Sequence, residues 1–196
     1  MVTDSVALLT IVLWPIIPLF WIPVHCATGF FRRIGRLTYI FPIVAWLPLA
    51  YLMSSQRGFL LGHKIVLAHA LNIAGMFLIF IGTSLHVWTG KLLGFRALVG
   101  LPEISEKSGQ ILVTQGAFSV VRHPTYLAHT MMLSGAFLLT GVVAVGIVAM
   151  LDYVASNAFI IPFEEKELSE RFGNDYEEYK QRVPRFFPRM PLLKGQ

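Results

Sequence analysis

The chain carries little charge and almost no cysteine. Charged residues make up 14% of its 196 positions, where a soluble domain carries roughly 25%. The single cysteine, Cys26, excludes an internal disulfide and a cysteine-based metal cluster. No two of the six histidines stand four residues apart, so no helical metal-ligand pair is offered and no metal is expected. Also missing are a phosphate-cradling G-x-x-x-x-G-K loop, a dinucleotide G-x-G-x-x-G and a G-x-S-x-G nucleophile elbow. No internal repeat or low-complexity stretch stands out. No basic n-region precedes the first hydrophobic run, which is expected to be retained rather than cleaved as a signal peptide.

What is present is apolar length. The chain is 55% hydrophobic, and its apolar residues gather into runs that suit membrane spans of about 20 residues each. We expect an all-α, polytopic integral membrane protein. It would be one membrane domain over 1–196, with about five transmembrane helices at 5–24, 37–53, 65–88, 126–140 and 142–162 and a C-terminal cytosolic helical tail. Pro15, Pro18 and Pro23 are expected to kink the first span, with neighbouring helices satisfying the freed carbonyls. Gly75 and Gly82 put small residues on one face of the third span, where another helix can approach closely. Arg32-Arg33-Ile34-Gly35-Arg36 reads as a basic loop. Residues 89–121 read as an interfacial segment with one short surface helix. The apolar run from Tyr126 to Pro162 is too long for one span and suits a tight helical hairpin turning near Thr140-Gly141. The tail is expected to break at Gly173, with Asn174 and Glu177 capping the piece that follows.

Five spans put 14 of the 16 Lys and Arg on one side, leaving Arg57 and Lys64 on the other. The positive-inside rule makes the richer side cytosolic. The net charge of +5 is thereby assigned to topology and anionic lipid headgroups rather than nucleic acid.

The stretch Arg122-His123-Pro124-Thr125-Tyr126 sits between two hydrophobic blocks. Pro124 pushes His123 away from helical geometry and suits the first turn of a following helix. Polar side chains are then held at the mouth of a membrane helix, as a small polar ligand or a membrane-surface loop would need. Glu164, Glu165 and Glu167 follow the last span. They read either as ordinary first-turn acids or as a carboxylate that folds back against His123 to grip a cationic group. Asp152, inside a hydrophobic run, reads either as a packing hydrogen bond or as a catalytic group. Asn157 is placed two turns before Glu164 on the same face.

These residues are recognisable as a set. Leu112-Val113-x-x-Gly116 through Arg122-His123-Pro124-x-Tyr126, then Glu164-Glu165, then Phe172-Gly173-x-x-Tyr176-x-x-Tyr179 and Arg182-Val183-Pro184, resemble the isoprenylcysteine carboxyl methyltransferase family. Phospholipid N-methyltransferases are more distant relatives. The resemblance covers residues 112–188. It implies a methyltransferase core there, using S-adenosyl-L-methionine on the cytosolic face. His123, Pro124, Thr125 and Tyr126 would line the cofactor, with Met131 and the Ala136–Leu139 turn bordering it. Glu164 would take its α-amino group, and Arg182 and Pro188 would help the tail close over it.

The implied acceptor is lipid-like, of the isoprenylcysteine carboxylate type, drawn from the bilayer. In one respect the chain departs from the resemblance: Ile160 stands where prenylcysteine-methylating members carry a carboxylate-binding arginine. Asn157 and Ile160 are then the residues expected at the substrate. Glu164, His123 and Asp152 are the catalytic candidates, the last two as bases should the nucleophile carry a proton. A phospholipid or amine N-methyltransferase, an NADPH-dependent sterol-type reductase and a non-enzymatic membrane scaffold remain as alternatives. The oligomeric state is not legible.

Overall fold

The computed structural model describes residues 2–98, 100 and 111–186, with the backbone alone for 95–98. Among them are α1 (Val2–Leu13), α2 (Ile16–Cys26), α3 (Thr28–Ile34), α4 (Ile40–Ser55), α5 (Arg57–Gly62) and α6 (His69–Leu98). After these come α7 (Pro124–Thr140), α8 (Val143–Ala155), α9 (Ile161–Phe172) and α10 (Asn174–Arg182). A π-helical turn, Ser156–Ile160, joins α8 to α9. The described residues form no strand; one isolated antiparallel bridge links Lys64 and Val142.

The protein is a polytopic, all-helical membrane protein. Four stretches are long and apolar enough to cross a bilayer: Val2–Cys26, Thr28–Ser55, His69–Gly94 and Val143–Phe172. The fifth expected span is α7, 17 residues long, which packs lengthwise against α6. Large side chains such as Val44, Phe80 and Met150 are well exposed. A surface so apolar is stable only against lipid.

Sequence accounts for several of these elements directly. The first span breaks at Trp14-Pro15, where proline cannot donate to the preceding turn. At that break the Val12 carbonyl accepts a hydrogen bond from Trp46 Nε1 of α4, at 2.7 Å. The α6–α7 seam is built on glycine. A Cβ added to Gly75 would lie 2.7 Å from the Gly135 carbonyl oxygen, and one added to Gly135 would lie 2.7 Å from that of Gly75. The hairpin turns where expected, with Gly141 at φ 63° capping α7.

Other expectations are corrected. The basic loop is helical: Arg32 and Arg33 lie in α3 and Arg36 in a 3-10 turn, Gly35–Tyr39. The third helix starts at His69 rather than Ile65, because the chain before it is held extended. Ile65 N–H donates to the Gly141 carbonyl, and Val143 N–H to that of His63. The same helix runs on past Thr89 to Leu98 through a non-helical Gly94. The surface helix expected further along falls partly on residues 101–110, outside the described residues. Asn174 is already helical and caps nothing, while Glu177 accepts from Ser169 Oγ at 2.7 Å.

Burial is concentrated at the two ends. Ala7, Ile11, Ala136, Val145 and Val148 pack α1, α7 and α8 together near the Gly141 turn. The ion pair of Lys64 with Asp4 sits at that end too. At the other end Tyr176, Tyr179 and Val183 dock α10 against Leu112, Leu168 and Phe172.

Candidate active site

The apolar part of the last long helix ends at Phe163. Past it come Glu164, Glu165 and Glu167 among basic residues, a composition hydrocarbon does not hold. The membrane-spanning segment therefore stops there, and α9 beyond it is polar. Successive residues of a helix point about 100° apart, so the two adjacent glutamates meet different surroundings.

Glu165 is buried and saturated. Its Oε1 accepts from Arg122 Nη2 at 2.9 Å and from His123 Nε2 at 3.0 Å, and its Oε2 from Arg185 Nη2 at 3.3 Å. Burial pushes its carboxyl up, but the His123 imidazole and the Arg122 guanidinium prevail and hold it well below the usual carboxylate range. Arg122 also donates through Nη1 to the Lys180 and Val183 carbonyls. Its backbone N–H donates to Pro184, and that of His123 to Arg185. Tyr179 adds a further tie, its hydroxyl donating to the Phe118 carbonyl at 2.7 Å. Burial pushes the Tyr179 phenol up to about 12, which keeps it a donor at neutral pH. Two guanidiniums, one carboxylate and one phenol thus strap α10 and the chain after it onto the segment that leads into α7.

Glu164 differs from its neighbour. Its Oε2 stands 3.8 Å from His123 Nδ1, is buried, and has no hydrogen-bond partner among the described residues. The side chain is 31% exposed, so it can be reached from outside. His123 adopts the non-helical backbone expected before proline, and Pro124 opens α7. Thr125 Oγ1 is buried without a partner among the described residues. Tyr126 is buried against Ile160 and Ile161, with Trp21, Ile22 and Phe186 around them.

The remaining expected residues are scattered. Met131 is half-buried on α7. The Ala136–Leu139 turn lies about 18 Å up the helix from Pro124 at 1.5 Å per residue, with Ala136 in the core at the far end. Asp152 lies about 18 Å from Glu164 by the same rise, and its Oδ1 accepts from Trp14 Nε1 at 2.9 Å. The structure does not bring it to the cluster. Asn157 falls inside the π-helical turn and bonds the Tyr153 carbonyl at 2.9 Å. Ile160 is buried, 1% exposed, beside Tyr126. Arg182 is exposed, its Nε on the Glu178 carbonyl, and it is Arg185 that reaches the cluster. Pro188 lies outside the described residues.

Sequence reading missed a second cluster. Glu167 of α9 faces two guanidiniums and an imidazole: Arg32 at 3.2 Å, Arg171 at 3.5 Å and His25 at 3.4 Å. His25 in turn stacks on Trp21, ring centroids 5.4 Å apart. The only signal was the i,i+4 spacing of an indole and an imidazole at the end of a span. Also unanticipated is the contact of His86 with His129 across α6 and α7, their rings tilted with centroids 4.9 Å apart.

The family description phospholipid methyltransferase matches residues 70–175. The chain is 33% identical over 93 residues to the cobalt-zinc-cadmium resistance protein CzcN of Cupriavidus metallidurans, covering 47% of this chain and 43% of that one. It is 32% identical over 120 residues to methanethiol S-methyltransferase 2 of Bradyrhizobium diazoefficiens, covering 53% and 44%. Protein-S-isoprenylcysteine O-methyltransferase B of Arabidopsis thaliana is 31% identical over 117 residues, covering 58% and 57%. The chain spans about half the length of these curated relatives. No solved structure matches it. The matched family stretch takes in α7, both glutamates and the start of α10, and covers more than half of the chain: this protein belongs to the phospholipid methyltransferase family.

Proposed function

We propose that this protein is a membrane-embedded methyltransferase that uses S-adenosyl-L-methionine and acts on a lipid-like acceptor from the bilayer. One observation carries the reading. Glu164, with an unpartnered buried carboxylate oxygen, stands 3.8 Å from His123 at the head of α7, although the two are far apart in sequence. Such an oxygen fits the α-amino group of the donor. The orphaned Thr125 hydroxyl fits another of its polar groups. His123, Pro124, Thr125, Tyr126 and Glu164 would hold it, with Met131 at the border and Arg182 and Pro188 on the closing tail. When bound, the donor supplies an electrophilic sulfonium methyl.

The protein's contribution is positioning, which can lower such a barrier by roughly 7–11 kcal/mol. His123 is fixed by Glu165, and Glu165 by two arginines, so the donor site is rigid before anything binds. The acceptor side is apolar. A groove of about 430 Å³ between α1–α2 and α4 is lined by Pro15, Pro18, Ile22, Pro23, Phe41 and Met53, among others. Ile22 also touches the Tyr126–Ile160 cluster, so a chain in this groove would end beside the donor site. An isoprenylcysteine carboxylate is one acceptor of this shape, but Ile160 offers it no cation. The concentration of Lys and Arg at the site's end of the molecule supports a cytosolic active site.

Calorimetry of the purified protein with S-adenosyl-L-methionine and with NADPH tests the proposal. Binding of S-adenosyl-L-methionine that is weakened in Glu164→Gln is the expected result. Binding of NADPH alone would overturn it in favour of a reductase, and binding of neither would leave a scaffold.

A further inference from the structure

The family match begins at residue 70, yet one of the better-organised polar groups lies before it. His25 is 2% exposed in its side chain, and its Nδ1 faces Glu167 Oε2 at 3.4 Å. Its ring is stacked on Trp21 with an interplanar angle of 18°. Glu167 is gripped by Arg32 and Arg171. Burial pushes its carboxyl up, but His25 and the two guanidiniums hold it below the usual carboxylate range. A proton carried on Nδ1, the nitrogen that faces the Glu167 carboxylate at 3.4 Å, would leave Nε2 with its lone pair free. That Nε2 is buried and has no partner among the described residues.

A carboxylate that orients an imidazole, with the far nitrogen open, is the arrangement of a general base. Its place fits that work. Glu167 lies one turn beyond Glu164 on α9, so His25 stands at the level of the donor site. Trp21, beneath His25, packs against the Tyr126–Ile160 cluster. The groove described above is lined by Pro18, Ile22 and Pro23 of the same helix, so it leads along α2 toward His25.

We propose that His25 is the general base for an acceptor whose methylated atom carries a proton, a thiol or an amine on a single apolar chain. This rests on the donor site proposed above and names the acceptor class for it. The acceptor's sulfur or nitrogen forms its bond to the methyl carbon while that carbon's bond to the sulfonium sulfur breaks, the electron pair staying on that sulfur. The acceptor's proton passes to His25 Nε2. The resulting imidazolium faces the Glu167 carboxylate and later releases the proton to water. A carboxylate acceptor would leave His25 nothing to do.

Two measurements test this. In the full chain in detergent, ¹⁵N-histidine NMR reads the tautomer directly, without donor or acceptor. His25 is expected neutral with the proton on Nδ1, and Glu167→Gln is expected to shift the tautomer balance. A proton resident on Nε2 in the parent would overturn the proposal. The second probe is N-acetylcysteine dodecyl ester, with a thiol near the cysteine value of about 8.5, and dodecylamine as the amine arm. His25→Gln is expected to lower thiol turnover at pH 6.5 by roughly 100-fold, the lower end for general-base catalysis. The deficit should shrink toward pH 9.5, where the thiol is already ionised. A loss that stays constant with pH, or no loss, would overturn the proposal, since a packing role predicts the first and no role the second. A parent that binds S-adenosyl-L-methionine but methylates neither probe also overturns it. A parent that does not bind the donor overturns the donor site and this inference with it.

Discussion

Two carboxylate clusters hang from the same short helix, α9, and they are built to opposite specifications. Around Glu165 both carboxylate oxygens, the two Nη atoms of Arg122 and the Nε2 of His123 are satisfied by one another or by backbone carbonyls, while Arg122 Nε is buried without a partner among the described residues. Around Glu167 two guanidiniums and an imidazole converge, yet the outer nitrogen of His25 has no partner among the described residues. Glu164 lies between them and also keeps an unpartnered oxygen. A closed network holds segments together, because removing any member strands a buried charge. An open atom in a buried setting is costly to leave unmade, which makes it the place to look for a ligand or a proton. The difference separates strap from site on one helix.

The sharpest way to break the comparison is at Glu165. Glu165→Gln leaves Arg122, His123 and Arg185 facing an uncharged amide, and the stability loss is expected at roughly 3 kcal/mol, the scale of a broken buried ion pair. Thermal unfolding in detergent measures it. The same cluster has a pH signature. The Glu165 carboxyl is held below its unfolded value of about 4.5, so its stabilisation is fully present above that value and is lost as pH falls through the folded one. The stability gap between parent and Glu165→Gln should therefore narrow progressively below about pH 4.5; a constant gap would show that the carboxylate's charge is not what stabilises.

Glu164→Gln should do the reverse. Donor affinity is expected to fall about 10- to 100-fold, the worth of one hydrogen bond to a charged group, with an unfolding temperature close to that of the parent. Calorimetry and a thermal scan on the same sample decide it. Arg182 and Arg185 supply the smallest test. Arg185→Ala removes a cation from Glu165 and should cost about 1 kcal/mol, discounted because the side chain is 38% exposed. Arg182→Ala, on the exposed face, should change stability by less than about 0.5 kcal/mol. Equal effects of the two would mean that the tail closes differently when the donor is bound.

Much of the fold was legible because lipid is an unforgiving solvent. Runs of apolar residues, the proline break at Pro15, the hairpin at Gly141 and the small-residue face at Gly75 each follow from backbone rules acting locally or along one helix. The His123–Glu164 juxtaposition was legible from the resemblance rather than from periodicity. Asp152 and Asn157, expected on the catalytic and substrate sides, lie along the helix from Glu164 rather than beside it, for a common reason. Helical spacing says which residues share a face, but the rise along α8 and the π-helical turn at Ser156–Ile160 put distance and a change of phase between those faces and Glu164.

The sequence by itself determined that this chain is a helical membrane protein with its polar chemistry gathered after Phe163 and around His123, since composition and hydrophobic length are properties of a linear string. Which carboxylate would be closed and which left open was decided only in three dimensions. Glu164, Glu165 and Glu167 are the same chemical group within four positions. What separates them is the approach of Arg122, Arg185, His25 and Arg32 from distant segments, and contacts between distant segments are set by packing, not by order along the chain.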